Sequence, residues 1–116
     1  MDIKSALRVF DTLSQENRLK AYRHLVQAGP TGLAAGVLSD ALEIPHNTLS
    51  FHLSHLANAG LVESTRQGRS VIYTANFDIT RDFIGFLVKD CCSSDMATIR
   101  EDSVKGCAII ELADCC

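Results

Sequence analysis

Residues 38–63 read LSDALEIPHNTLSFHLSHLANAGLVE. Two stretches of helical periodicity are separated by a short break at Pro45 and closed by Gly60 ahead of a strand-like start, an order that predicts a helix-turn-helix. Between Asn47 and Gly60, the apolar residues Leu49, Leu53, Leu56 and Ala57 fall at i, i+4, i+7 and i+8, which predicts one buried stripe on an amphipathic helix. The opposite face carries Asn47, Phe51, Ser54, His55 and Asn58. Short polar side chains of this kind can approach base edges in a major groove; on an arbitrary amphipathic helix they are simply a solvated face. The next stretch, LVESTRQGRSVIYTA from Leu61 to Ala75, favours the nucleic-acid reading. It holds two β-favouring runs around Gln67-Gly68-Arg69 and predicts a hairpin, with glycine supplying the positive φ of a tight connection. A helix-turn-helix followed at once by a hairpin with Arg66 and Arg69 near its tip predicts a winged helix-turn-helix. The fold class is mainly α with a β-hairpin wing, and the wing's cations would sit against phosphates.

Working outward, Ile3, Ala6, Leu7, Phe10 and Leu13 have helical spacing. Ser14 reads as the N-cap of a second helix reaching to about Ala28, with Leu19, Tyr22, Leu25 and Val26 on its core face. Gly29-Pro30-Thr31-Gly32 ends that helix. A third is expected from about Leu33 to Leu42 with Val37, Leu38 and Ala41 inward, and Pro45 and His46 then make the turn. After the wing, Asp78 or Thr80 is expected to cap a last helix from about Arg81 to Asp90. Its Phe83, Ile84, Phe86, Leu87 and Val88 cover more than one face, more apolar surface than so small a domain can bury alone, so part of it is expected to pack against a second copy.

The chain has 116 residues and a net charge of −3. It is sized for one core. No apolar run is long enough to span a membrane and no secretion signal is visible at the N-terminus, which predicts a cytoplasmic protein with reduced thiols. Residues 14–70 hold five cations against four acids, whereas residues 76–116 hold four against eight. The acidity therefore belongs to the C-terminal third, and a nearly neutral reading head remains compatible with DNA binding of moderate salt dependence.

All five cysteines lie late in the chain, at Cys91, Cys92, Cys107, Cys115 and Cys116. Adjacent cysteines have Cα atoms about 3.8 Å apart, too close for a relaxed disulfide. The Cys91-Cys92 pair is thus better suited to clamp a soft ion, although free cysteine is also a common small buried residue. If the ion were an inorganic one that takes three thiolates, such as trivalent arsenic or antimony, the pair would need one partner. Loop lengths of about 14 residues to Cys107 and about 22 to Cys115 differ by only ~0.4 kcal/mol in closure entropy. Cys107 is favoured because it follows Gly106 in a polar stretch and precedes an apolar run; Cys115 and Cys116 form a second pair that either binds independently or has no role.

The order PHNTLSFHLSHLANAGLV, then RQGRSVIY, resembles the ArsR/SmtB family of small metal-responsive repressors over roughly residues 5–90. The pattern S-x-H-L-x-x-L-x-x-A-G-L-V followed by x-G-R-x-x-x-Y carries the likeness. It implies a homodimer formed through the first and last helices, bound to double-stranded operator DNA and released by a metal or metalloid. The family's Cys-x-Cys before the turn is absent here, where the chain reads GVLSDALEI. A zinc site along the last helix is not expected either, because Asp78 and Asp82 are present but no histidine follows His55. The remaining likeness is to the arsenic-responsive subgroup whose site is a Cys-Cys pair at the end of the last helix plus a tail cysteine. It implies arsenic(III) or antimony(III) as inducer, with Cys91 and Cys92 as ligands by position; Cys107 is the favoured third for the reasons above, with Cys115 and Cys116 as weaker alternatives. Where many relatives place Arg before His-Leu, this chain has Phe51, which can contact a thymine methyl or pack against the wing. The DNA-contacting set is then His46, Asn47, Ser50, Phe51, Ser54, Arg66 and Arg69, with His52 as a further candidate. The expected organisation is a DNA-binding and dimerisation domain over residues 1–92 and a cysteine-containing tail over 93–116. A repressor of the same fold switched by thiol oxidation is the alternative. A metal-sequestering protein and a thiol enzyme are weaker ones, since no Cys-x-x-Cys and no general base beside the pair support catalysis.

Overall fold

The computed structural model describes residues 1–89. Among the described residues, five α-helices, a 3-10 turn and a three-stranded antiparallel sheet follow in the order α1 (Ile3–Leu13), α2 (Glu16–Ala28), the turn Gly29–Thr31, β1 (Leu33–Ala34), α3 (Ala35–Leu42), α4 (His46–Asn58), β2 (Val62–Gln67), β3 (Ser70–Ala75) and α5 (Phe77–Val88). No helix among the described residues is long and apolar enough to cross a membrane.

The predicted helices form, with their ends displaced by local hydrogen bonding. Ser14 keeps a helical backbone and its hydroxyl donates to the Asp11 carbonyl, closing α1. Extended backbone geometry falls on Gln15 instead, whose side-chain oxygen accepts from the Arg18 N–H at 2.9 Å. An N-cap needs that extended geometry, so Gln15 and not Ser14 starts α2. Leu33 and Ala34 are strand rather than helix, paired with Tyr73 and Ile72 of β3. Their partners lie some forty positions away, beyond the reach of a local pattern. The last helix begins earlier than expected because Asn76, not Asp78 or Thr80, accepts from the Ile79 N–H. Thr80 instead bonds the Tyr22 hydroxyl and ties α5 to α2.

A continuous core runs through Val9, Ala21, Tyr22, Leu25, Leu38, Leu49, Leu53, Leu56, Leu61, Val62 and Ala75. It joins the three helices of the reading head to the base of the wing. On α2 the core positions are Ala21, Tyr22 and Leu25, while the expected Leu19 and Val26 are exposed. Val37 and Ala41 point outward from α3, which contributes Leu38 and the buried Ser39. Ala57 is likewise exposed on α4, its inward place taken by His52. Each of these helices packs through a narrow stripe, so positions at the edge of an apolar face stay in water.

Candidate nucleic-acid interface

Between α3 and α4, Glu43 takes a left-handed backbone (φ 57°, ψ 41°) and its N–H bonds back to α3. The Ser39 hydroxyl donates to the Ile44 carbonyl at 2.6 Å, and the Ile44 N–H donates to the Ser39 carbonyl at 3.2 Å. These bonds pin the turn. Pro45, extended at φ −60° and ψ 150°, then starts α4, with its carbonyl accepting from the Leu49 N–H. Leu49, Leu53 and Leu56 are fully buried, which fixes the rotation of α4 about its axis. The outward face is thereby set.

His46, Asn47, Ser50, Phe51 and Ser54 are all exposed on that helix. His46 lies over α3, its Cε1 3.6 Å from where a Cβ on Gly36 would stand. Asn47 accepts the Thr48 N–H through Oδ1, and Ser54 donates to the Ser50 carbonyl at 2.9 Å. Both side chains keep hydrogen-bonding capacity for a partner. Phe51 is 59% exposed, and its ring stands edge-on to His55 at 4.6 Å and to His52 at 5.7 Å. His55 and Asn58 are also exposed and extend the same face toward the helix C-terminus. His52 is the correction to the candidate set. It is only 7% exposed, on the core side beside Leu49, Leu53 and Leu56, and cannot reach a groove. Its Nδ1 has no hydrogen-bond partner among the described residues, and neither has the buried Nε of Arg18. Desolvation, then the positive charge of Arg18, then His55 hold the His52 pKa below its ordinary value of 6.5.

The wing is a regular antiparallel ribbon from Val62↔Ala75 to Gln67↔Ser70. Gly68, with φ +62°, turns the chain at its tip. Beyond Val62 every residue of β2 is exposed, so the ribbon projects from the core. Arg66 pairs across to Val71 and Arg69 stands in the connection; neither makes an ion pair among the described residues. Both guanidiniums are available to phosphate. Among the described residues, no group of three His, Cys, Asp or Glu side chains converges to hold a metal ion. Cys91, Cys92, Cys107, Cys115 and Cys116 lie outside the described residues.

A buried-stripe recognition helix followed by a projecting cationic ribbon defines a winged helix-turn-helix protein. Residues 13–65 match a helix-turn-helix domain family. The chain is similar to an ArsR-like transcriptional regulator from Rhodococcus sp. RHA1, with 27% identity, a TM-score of 0.68, and 84% of this chain and 92% of that one covered. It is also similar to a homodimeric winged helix-turn-helix DNA-binding domain from Mycobacterium bovis, a possible ArsR-family transcriptional regulator, with 28% identity, a TM-score of 0.62, and 74% and 78% covered. Reduced HlyU from Vibrio cholerae shares 27% identity at a TM-score of 0.60, over 77% of this chain and 90% of that one. No curated protein sequence matches the chain. The domain match and the structural likenesses agree on a DNA-binding winged helix-turn-helix of the transcriptional-regulator type.

Proposed function

We propose that the chain is an ArsR-family transcriptional repressor of the cytoplasm. It binds double-stranded operator DNA as a homodimer through α1 and α5 and leaves it when trivalent arsenic or antimony is held by Cys91, Cys92 and Cys107. His46, Asn47, Ser50, Phe51 and Ser54 face the major groove, and Arg66 and Arg69 bind flanking phosphates. The observation that carries this reading is an uncovered apolar face beside a finished reading head. Ile3, Leu7 and Phe10, at i, i+4 and i+7 of α1, are 63%, 59% and 50% exposed, and Leu87 of α5 is 50% exposed. α5 buries no residue fully, and Phe10 meets Phe83 edge-on at 5.0 Å, so the two helices form one surface. A like-shaped domain from M. bovis is homodimeric, which supports a homodimer here. Two copies joined this way present two α4 helices to a two-fold symmetric site.

The sensor part of the proposal rests on chain order and thiol chemistry. α5 ends at Val88, and Cys91 and Cys92 follow within four residues in sequence. Thiolates are soft ligands suited to trivalent arsenic, and a third thiol from the 93–116 tail completes the pyramidal set. Tying the tail to the end of α5 acts on a helix that is also half of the dimer surface. A coupling of about 1–3 kcal/mol between that tie and the DNA-bound arrangement corresponds to a 5- to 150-fold loss of affinity.

The test is arsenite titration of the reduced protein on duplex DNA from upstream of its own coding sequence, followed by fluorescence anisotropy. Release that survives changing Cys115 and Cys116 to Ser, but is lost on changing Cys91, Cys92 or Cys107, is the expected result. Release by peroxide and not by arsenite would replace the metalloid reading with the redox one. Loss of DNA binding in Cys91→Ser itself would make that thiol structural.

A further inference from the structure

We propose that Phe51 reads a thymine methyl group and makes an A·T pair the discriminating position of each operator half-site; this rests on the DNA-binding reading above. At 100° per residue, the buried Leu49, His52, Leu53 and Leu56 define the inward direction of α4. Asn47, Phe51, Ser54 and Asn58, spaced i, i+4, i+7 and i+11, then lie farthest from the core, and all four are exposed. Phe51 is the one large apolar side chain among them.

Phe51 is more than half exposed, and the rings that meet it edge-on, His52 and His55, belong to its own helix. Its edge-on contact with His55, one turn further along the same helix, braces it on the outward face rather than burying it. Its polar neighbours are partly engaged at home, Asn47 with the Thr48 N–H and Ser54 with the Ser50 carbonyl. The phenyl ring is therefore the most prominent feature the helix offers to a groove. Among the groups displayed on the major-groove edges, the thymine C5 methyl is the apolar one. A phenyl ring neither donates nor accepts, so set over any other edge it strips water from a polar group without replacing the hydrogen bond. Attraction to thymine and exclusion of the alternatives come from the same side chain. The uncovered dimer face lies on α1 and α5, so a second copy of the chain is not needed to explain the exposure of Phe51.

The experiment selects binding sites from a pool of random duplexes and then replaces thymine by deoxyuridine, which removes only the methyl, one half-site position at a time. One position in each half-site is expected to weaken wild-type binding about fourfold, and about sixteenfold when both half-sites are changed. Phe51→Ala is expected to bind thymine and deoxyuridine duplexes alike, with an unchanged thermal melt because the ring is exposed. Phe51→Gln, which keeps a long side chain, is expected to show the same insensitivity. An enriched site that binds wild type equally with and without the methyls would overturn the proposal while leaving the regulator reading in place, as would methyl sensitivity retained in both variants. Enrichment of no sequence at all would overturn both.

Discussion

Replacing Gly32 by alanine is expected to lower the unfolding free energy by about 2–6 kcal/mol, while the same change at Gly68 is expected to cost about 1–2 kcal/mol. Gly32 has φ 69° and ψ −169°, a backbone region almost confined to glycine, and a side chain there carries about 1–3 kcal/mol of strain. A Cβ at that position would also strike the Tyr73 carbonyl oxygen, stand 2.6 Å from Thr74 Cγ2 and lie 3.1 Å from Ile72 Cγ2. The oxygen belongs to the β3 backbone and cannot rotate aside, so overpacking adds about 1–3 kcal/mol. Gly68 also has positive φ, yet its Cβ would meet nothing within 4 Å, leaving only the left-handed backbone cost. Urea unfolding followed by circular dichroism measures both variants, with stability read from the midpoint at unchanged slope. A Gly32→Ala variant as stable as Gly68→Ala would refute the steric account. Gly32 precedes β1, whose pairing with β3 joins the reading head to the wing, so Gly32→Ala should also weaken DNA binding more than its stability loss explains.

Changing Ile3 and Leu7 together to Asp should give a folded monomer by sedimentation, with much weaker binding to a two-half-site duplex, because the two residues are 63% and 59% exposed in one chain and an apolar partner covers them only in the dimer. Removing Arg66 or Arg69 should flatten the slope of log affinity against log salt by about 0.9 for each phosphate left without its cation, measured by anisotropy over a salt series. Acid should destabilise the fold through His52, whose pKa in the folded state is depressed by desolvation and Arg18. The unfolded chain then binds more protons than the native one below the ordinary value of 6.5, so stability is full above that pH and falls as pH drops toward the folded-state value. His52→Gln should remove this part of the slope in urea midpoints taken from pH 8 to pH 5; an unchanged slope would show that His52 is not the group responsible.

The helix-turn-helix and its wing were legible in the chain because their signals are local. The Leu49–Leu53–Leu56 stripe, the break at Pro45 and Gly68 between two β-favouring runs each depend on neighbours a few residues away. The outward set from His46 to Ser54 follows from the same stripe, since burying one face of a helix exposes the other. Element ends were less legible. Ser14 and Gln15 are both able to cap, and which of them does so is decided by where α1 stops, a matter of competing hydrogen bonds. Similarly, Asp78, Thr80 and Asn76 compete to start α5, and Thr80 is engaged with Tyr22 from another helix.

The class of fold and the helix that faces outward were determined by the amino-acid order alone, because both are written in periodicities of a few residues. Long-range packing decided that Leu33 and Ala34 join a sheet with residues some forty positions later and that His52 turns into the core. It also decided which apolar residues of α1 and α5 remain uncovered. One cause underlies all of these. Local backbone preference selects an element, but which side of it meets water depends on the elements that arrive from elsewhere in the chain.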